Sequence, residues 1–219
     1  MRLLSASIGR KVVMAVTGLL MVLFVVGHLL GNLSIFAGAN GINAYAAKLH
    51  EMAPVVWITR VVMLVSVVTH LVLSIQITLE NEAANPQKYA VDRSLRATFA
   101  SKSMIWTGLL LGVFIVAHLL HFTIRAFPGV YGLDALNRFD VFAMVTDAFR
   151  RFSISAVYVV AMVALFLHLS HGLQSLFQTL GLSNDKLQPT YGLGGKVLST
   201  VFLVGYAAIP VAILIHLLG

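Results

Sequence analysis

Eight histidines, His28, His50, His70, His118, His121, His168, His171 and His216, are the residues of this chain best suited to chemistry. Most lie in long apolar runs, and an imidazole in a lipid-solvated helix is costly enough to be kept there for a function. Two occupy almost the same setting. Val16-Thr17-Gly18-Leu19-Leu20 runs on to Gly27-His28-Leu29-Leu30, and Trp106-Thr107-Gly108-Leu109-Leu110 runs on to Ala117-His118-Leu119-Leu120. A polar residue repeated at one distance from a Thr-Gly pair implies two helices that present an imidazole at the same depth. Paired imidazoles inside a bundle are the arrangement that bis-axial ligation of a haem iron requires.

Depth sorts the histidines further. His28 lies nine residues before Ala37 and His118 ten before Pro128. At 1.5 Å per residue both are about 14 Å from the same ends of their helices. His70 is sixteen residues past Pro54 and His168 seventeen past Arg151, on helices running the other way. Both are then about 25 Å from that side. The four fall into two layers about 10 Å apart, each supplied by two helices, so two stacked bis-histidine haems are expected. His121 and His171 each follow a candidate ligand by three residues and share its helix face, so either could take its place. The Thr-Gly repeat selects His118, whereas depth alone favours His168. His121 and His171 are then read as groups around the haems. His216 marks the end of the last span, and His50 lies in a loop.

The elements that must carry these residues are membrane helices. Of the 219 residues, 59% are hydrophobic and 11% charged, about half the charged fraction of a soluble domain. Stretches near 12–37, 54–79, 103–126, 152–180 and 196–218 are long enough to cross a bilayer. The expected fold is an all-α bundle of five transmembrane helices, a single domain over residues 1–219. Pro54 suits a helix start, Pro128-Gly129 a stop, Asn85-Pro86 a loop break, Gly181 a C-cap, and Pro210 a tolerated kink. Asn43 to His50 and Asp140 to Arg151 read as short interfacial helices. Cysteine is absent, which excludes thiolate metal sites and covalent attachment of a c-type haem.

Lys and Arg set the orientation. With the N-terminus in the cytoplasm, the inner segments hold Arg2, Arg10, Lys11, Lys88, Arg93, Arg96, Lys102, Lys186 and Lys196. The outer segments hold Lys48, Arg60, Arg125, Arg138, Arg150 and Arg151. The positive-inside bias therefore favours a cytoplasmic N-terminus. The net charge of +7 is read as topology, not as nucleic-acid binding. The inner basic residues Arg93, Arg96, Lys102 and Lys186 read first as this topology signal, with a docking surface as the second reading.

Four short motifs in order carry a resemblance. Val26-Gly27-His28-Leu29-Leu30-Gly31-Asn32, Val68-Thr69-His70, Val116-Ala117-His118 and Phe166-Leu167-His168-Leu169-Ser170-His171-Gly172-Leu173 resemble the di-haem cytochrome b anchor of succinate:quinone oxidoreductases. These are the succinate dehydrogenases and fumarate reductases with one five-helix membrane subunit, and the resemblance covers essentially the whole chain. It implies two non-covalent b haems, one held by His28 and His118, the other by His70 and His168. It also implies a flavoprotein and an iron–sulfur subunit on the cytoplasmic face, menaquinone near the outer haem, a place in the cytoplasmic membrane, and assembly as a dimer of complexes. Asn43, Tyr45, His50 and Glu51, just beyond His28, are the expected quinone-binding groups. One departure matters. Where some fumarate reductases carry a membrane-embedded glutamate two residues before the fourth ligand, this chain has Phe166, so a transmembrane proton relay of that kind is not expected.

Two other readings stay open on the residues alone. One is the cytochrome b anchor of a different quinone-linked enzyme, such as a formate dehydrogenase or hydrogenase. The other is a haem-free small transporter whose histidines pack or carry protons. The quinol–cytochrome c reductase arrangement, with two ligands about four turns apart on each of two helices, has no counterpart here.

Overall fold

A computed structural model describes residues 6–84 and 98–218. Arg2, Asn85, Pro86, Lys88, Arg93 and Arg96, which carry part of the orientation, loop and docking expectations, lie outside the described residues. Without water to satisfy them, backbone amides in lipid must bond within their own segment, and the long apolar runs fold accordingly as helices. These are α1 (Ser7–Leu33), α2 (Gly38–Glu51), α3 (Ala53–Ala84), α4 (Phe99–Lys102), α5 (Met104–His118), α6 (Val141–Phe149), α7 (Phe152–Thr179) and α8 (Gln188–Leu214). Among the described residues, five helical segments are long and apolar enough to cross a membrane: α1 continued through α2, α3, α5 with the turn that follows it, α7, and α8. The chain is a multi-pass membrane protein. Large apolar side chains such as Val61, Leu64 and Val65 on α3 and Val113 and Val116 on α5 are exposed, which suits lipid and would be a liability in water.

The ends differ from the sequence expectation in physically simple ways. α5 does not run to Pro128. It opens into a π turn over Leu119–Thr123, closed by Ile124 N–H donating to the Leu119 carbonyl at 2.8 Å. α8 starts at Gln188, with Pro189 in its first turn, eight residues before the expected boundary. Pro189 needs no backbone donor there, so the helix can begin in the polar segment. Gly181, just past α7, has φ +73°, a conformation a side chain resists. Pro210 lies inside α8 as expected.

The long helices pack as neighbours, α1 along α3, α5 along α7, and α7 most extensively along α8. One end of the bundle is covered. α2 leaves α1 through a 3-10 turn, Ser34–Ala37, and packs against α6. Ile35, Ile42, Met144, Val145, Phe149, Ile209 and Ile213 form a buried core there. At its centre is Asn43, wholly buried. Its amide donates to Asp134 at 3.2 Å and Asp140 at 3.0 Å, and its carbonyl accepts from Phe142 N–H at 3.0 Å. Arg138 donates to Asp134 through Nε at 2.9 Å. That pairing holds the Asp134 carboxyl well below the usual carboxylate range. The clasp ties the α2 segment to the loop before α6, and it defines a capped end; the opposite end, which has no such clasp among the described residues, is called the open end.

Replacing Asn43 by Ala takes one donor from each of Asp134 and Asp140 and leaves the Phe142 N–H without its acceptor, and should cost about 1–3 kcal/mol of stability. Thermal unfolding in detergent measures it. Because the Asp134 carboxyl titrates below its ordinary value of 3.8, the wild-type clasp should hold above that pH and weaken as pH falls through and beneath it.

Candidate functional site

Two pairs of imidazoles face each other inside the bundle. His28 of α1 and His118 of α5 have ring centroids 6.0 Å apart and planes at 86°. His70 of α3 and His168 of α7 have centroids 6.4 Å apart and planes at 64°. The first pair is nearer the capped end and the second nearer the open end. The structure thus brings together the histidines that depth grouped, and the ring facing His70 belongs to His168 rather than His171.

The Thr-Gly repeat has a purpose that the sequence hid. Thr17 and Thr107 each precede a histidine by eleven residues, about three turns, so each shares that histidine's helix face. Yet each touches the other pair. The His70 Nδ1 lies 3.0 Å from the Met14 carbonyl and 3.4 Å from the Thr17 hydroxyl. A carbonyl only accepts, so Nδ1 carries the proton and Nε2 keeps its lone pair. On the other side, the Thr107 hydroxyl donates to the Ser103 and Met104 carbonyls at 3.0 and 3.1 Å. Its oxygen is left to accept from His168 Nδ1 at 3.2 Å. The adjacent glycines make room for these rings. A Cβ at Gly18 would lie 3.3 Å from His70 Cε1, and one at Gly108 3.2 Å from His168 Cε1. Each repeat therefore presents its own histidine to one pair and cradles a histidine of the other.

The pair at the capped end is held by aromatic groups. Phe24 stacks on His28 at 5.3 Å and Phe114 on His118 at 5.8 Å. Tyr206 of α8 donates to the Val25 carbonyl at 2.8 Å and lies 6.2 Å from the His28 ring. The Tyr158 hydroxyl lies 3.3 Å from His118 Nδ1 and 3.2 Å from His121 Nδ1. His121, in the π turn, meets the same hydroxyl as His118. His171 is half-buried on α7, one turn from His168. Thr17, Thr107, Tyr158 and Tyr206 escaped the sequence reading. The Thr-Gly repeat was the available signal for the first two, but its target lies on another helix.

The groups expected to bind quinone divide. Asn43 spends both amide hydrogens and its carbonyl on the clasp. Tyr45 packs where Gly31 lacks a side chain; a Cβ there would overlap its ring. His50 and Glu51 instead line a cavity of about 440 Å³ at the capped end, with Ala47, Asn137, Arg138 and Phe139. His50 donates from Nδ1 to the Ala46 carbonyl at 2.9 Å, and Glu51 pairs with Lys48 at 2.8 Å. Asn137 and Arg138 come from the loop that folds back after α5, with Arg125 over the Phe139 ring at 3.7 Å. His216 is exposed just past α8.

No family model, curated protein or solved structure matches the chain.

Thr107→Val removes the acceptor for His168 and keeps the side-chain size. It should cost about 1 kcal/mol of stability by leaving the His168 N–H short of a partner, while Thr107→Ser should behave close to wild type. Thermal unfolding of each purified variant in detergent checks this.

Proposed function

We propose that this chain is the membrane-anchor cytochrome b subunit of a succinate:quinone oxidoreductase, holding one b haem between His28 and His118 and a second between His70 and His168. The observation that carries the reading is the opposition of two imidazole pairs drawn from four helices. A metal–imidazole bond is about 2 Å long, and a ring nitrogen is about 1 Å from its centroid, so two rings on opposite sides of one metal have centroids about 6 Å apart. The pairs stand at 6.0 and 6.4 Å. Two imidazoles are too few donors for a bare metal ion, whereas a haem iron would need only two from the protein.

The bound haems would supply one-electron transfer across the membrane. The protein's part is to fix the ligands. Met14 and Thr17 orient His70, Thr107 orients His168, and the Tyr158 hydroxyl meets His118. Helices α3, α5 and α7 exclude water with their apolar faces. The charge bias and the resemblance together support an open end that faces the cytoplasm, where flavoprotein and iron–sulfur subunits would dock, and a capped end outside. The cavity beside His50 and Glu51 is then the candidate site for menaquinone, with Arg138 at its wall. His50 and Glu51 are the groups there able to exchange protons with a quinone. The membrane is proposed to be the cytoplasmic one.

Replacing any one of His28, His70, His118 or His168 by Ala should remove one of two haems and leave the other's reduced-minus-oxidised spectrum intact. Two haems retained in all four variants would overturn the reading, and a wild-type chain with no visible spectrum would return it to a transporter. For the quinone site, Glu51→Gln should lower quinol-coupled turnover by roughly a hundredfold, the low side of what a positioned acid–base group contributes. Haem spectra and dye-linked succinate activity should stay unchanged. Normal quinol turnover in both Glu51→Gln and His50→Ala would move the site elsewhere.

A further inference from the structure

We infer that Arg10 binds a propionate of the haem held by His70 and His168, an assignment that rests on the di-haem reading above. Arg10 stands near the open end of α1 with its side chain 15% exposed. Glu80 of α3 takes only one side of its guanidinium. The carboxylate oxygens accept from Nη1 at 2.5 Å and Nη2 at 2.7 Å. The Nε–H is buried and has no partner, the one such side-chain atom among the described residues. Glu80 is 54% exposed, so it occupies the solvent side of the fork and leaves the buried Nε edge unmatched. A guanidinium donor left unbonded in a low-dielectric site is costly, and its usual match is a planar oxyanion.

The position of Arg10 says where that oxyanion comes from. Arg10 precedes Thr17 by seven residues, about two turns, so the two residues share one face of α1. The Thr17 hydroxyl lies 3.4 Å from His70 Nδ1. Arg10 is therefore on the helix face that looks onto the His70–His168 pair, about 10 Å closer to the open end. A b haem carries two propionates on one edge. Inside a bundle they need cationic or donor partners, because an unpaired carboxylate there is strongly disfavoured. Arg10 offers this haem a fixed cation, and Glu80, held by the two Nη groups, leaves the buried Nε–H free for it. A positive charge at the propionate stabilises the oxidised haem less than the reduced one, so it raises the midpoint potential.

The test is a redox titration of the intact complex in detergent, with haem content measured alongside. Arg10→Gln should lower the midpoint of the haem that His70→Ala removes, and leave the other haem's midpoint in place. Glu80→Gln should raise the same midpoint by removing a nearby negative charge. If Arg10 only clamps α1 to α3, breaking the clamp from either side should act alike, so a downward shift or no shift in Glu80→Gln overturns the assignment. Glu80→Gln decides the matter alone if Arg10→Gln does not assemble. Two haems with an unmoved midpoint in Arg10→Gln would sink this inference and leave the di-haem reading standing; a wild-type complex without haem would sink both.

Discussion

A neutral imidazole in a membrane interior has one N–H to satisfy and one lone pair to spend, and the bundle is organised around that division. The N–H cannot be left to lipid, since an unmade hydrogen bond there costs more than the bond is worth in water. At His70 it goes to the Met14 carbonyl, beside the Thr17 hydroxyl. At His168 it goes to a Thr107 oxygen whose own proton is already committed to α5. Both rings are then fixed in tautomer and direction, and the remaining nitrogen is turned to a shared space. The close approach of α1 to α3 and of α5 to α7 is possible because Gly18 and Gly108 present no side chain to those rings.

The two ends solve different problems. The open-end pair is held by main chain and hydroxyls, which are rigid and small. The capped-end pair is held by aromatic rings from four helices, with Tyr158 between His118 and His121 and Tyr206 pinning α8 against α1. The cap itself depends on Asn43, which joins α2 to Asp134, Asp140 and the start of α6 with three hydrogen bonds. That clasp brings the loop residues Asn137 and Arg138 beside His50 and Glu51. The cavity beside His50 and Glu51 therefore rests on a buried polar network completed beneath it.

Much of this was legible in the residues. Apolar length determined the five spans, since backbone in lipid has no other way to satisfy itself than as a helix. Helical rise determined the depths of His28, His70, His118 and His168, because a straight helix converts residue number into height. The short helices at Asn43 and Asp140, the stop at Gly181 and the place of Pro210 inside the last helix followed from local rules of the same kind. What tertiary structure decided was azimuth and partner. The Thr-Gly repeat was visible, but that it cradles the neighbouring helix's histidine is a fact about how α1 faces α3 and α5 faces α7. The π turn that swings His121 onto Tyr158, the early start of α8, and the removal of Asn43 from the cavity that keeps His50 and Glu51 all depend on contacts between segments far apart in the chain. Spacing along one helix sets height and face, whereas which group meets that face is set only when helices pack and their buried donors must all find acceptors.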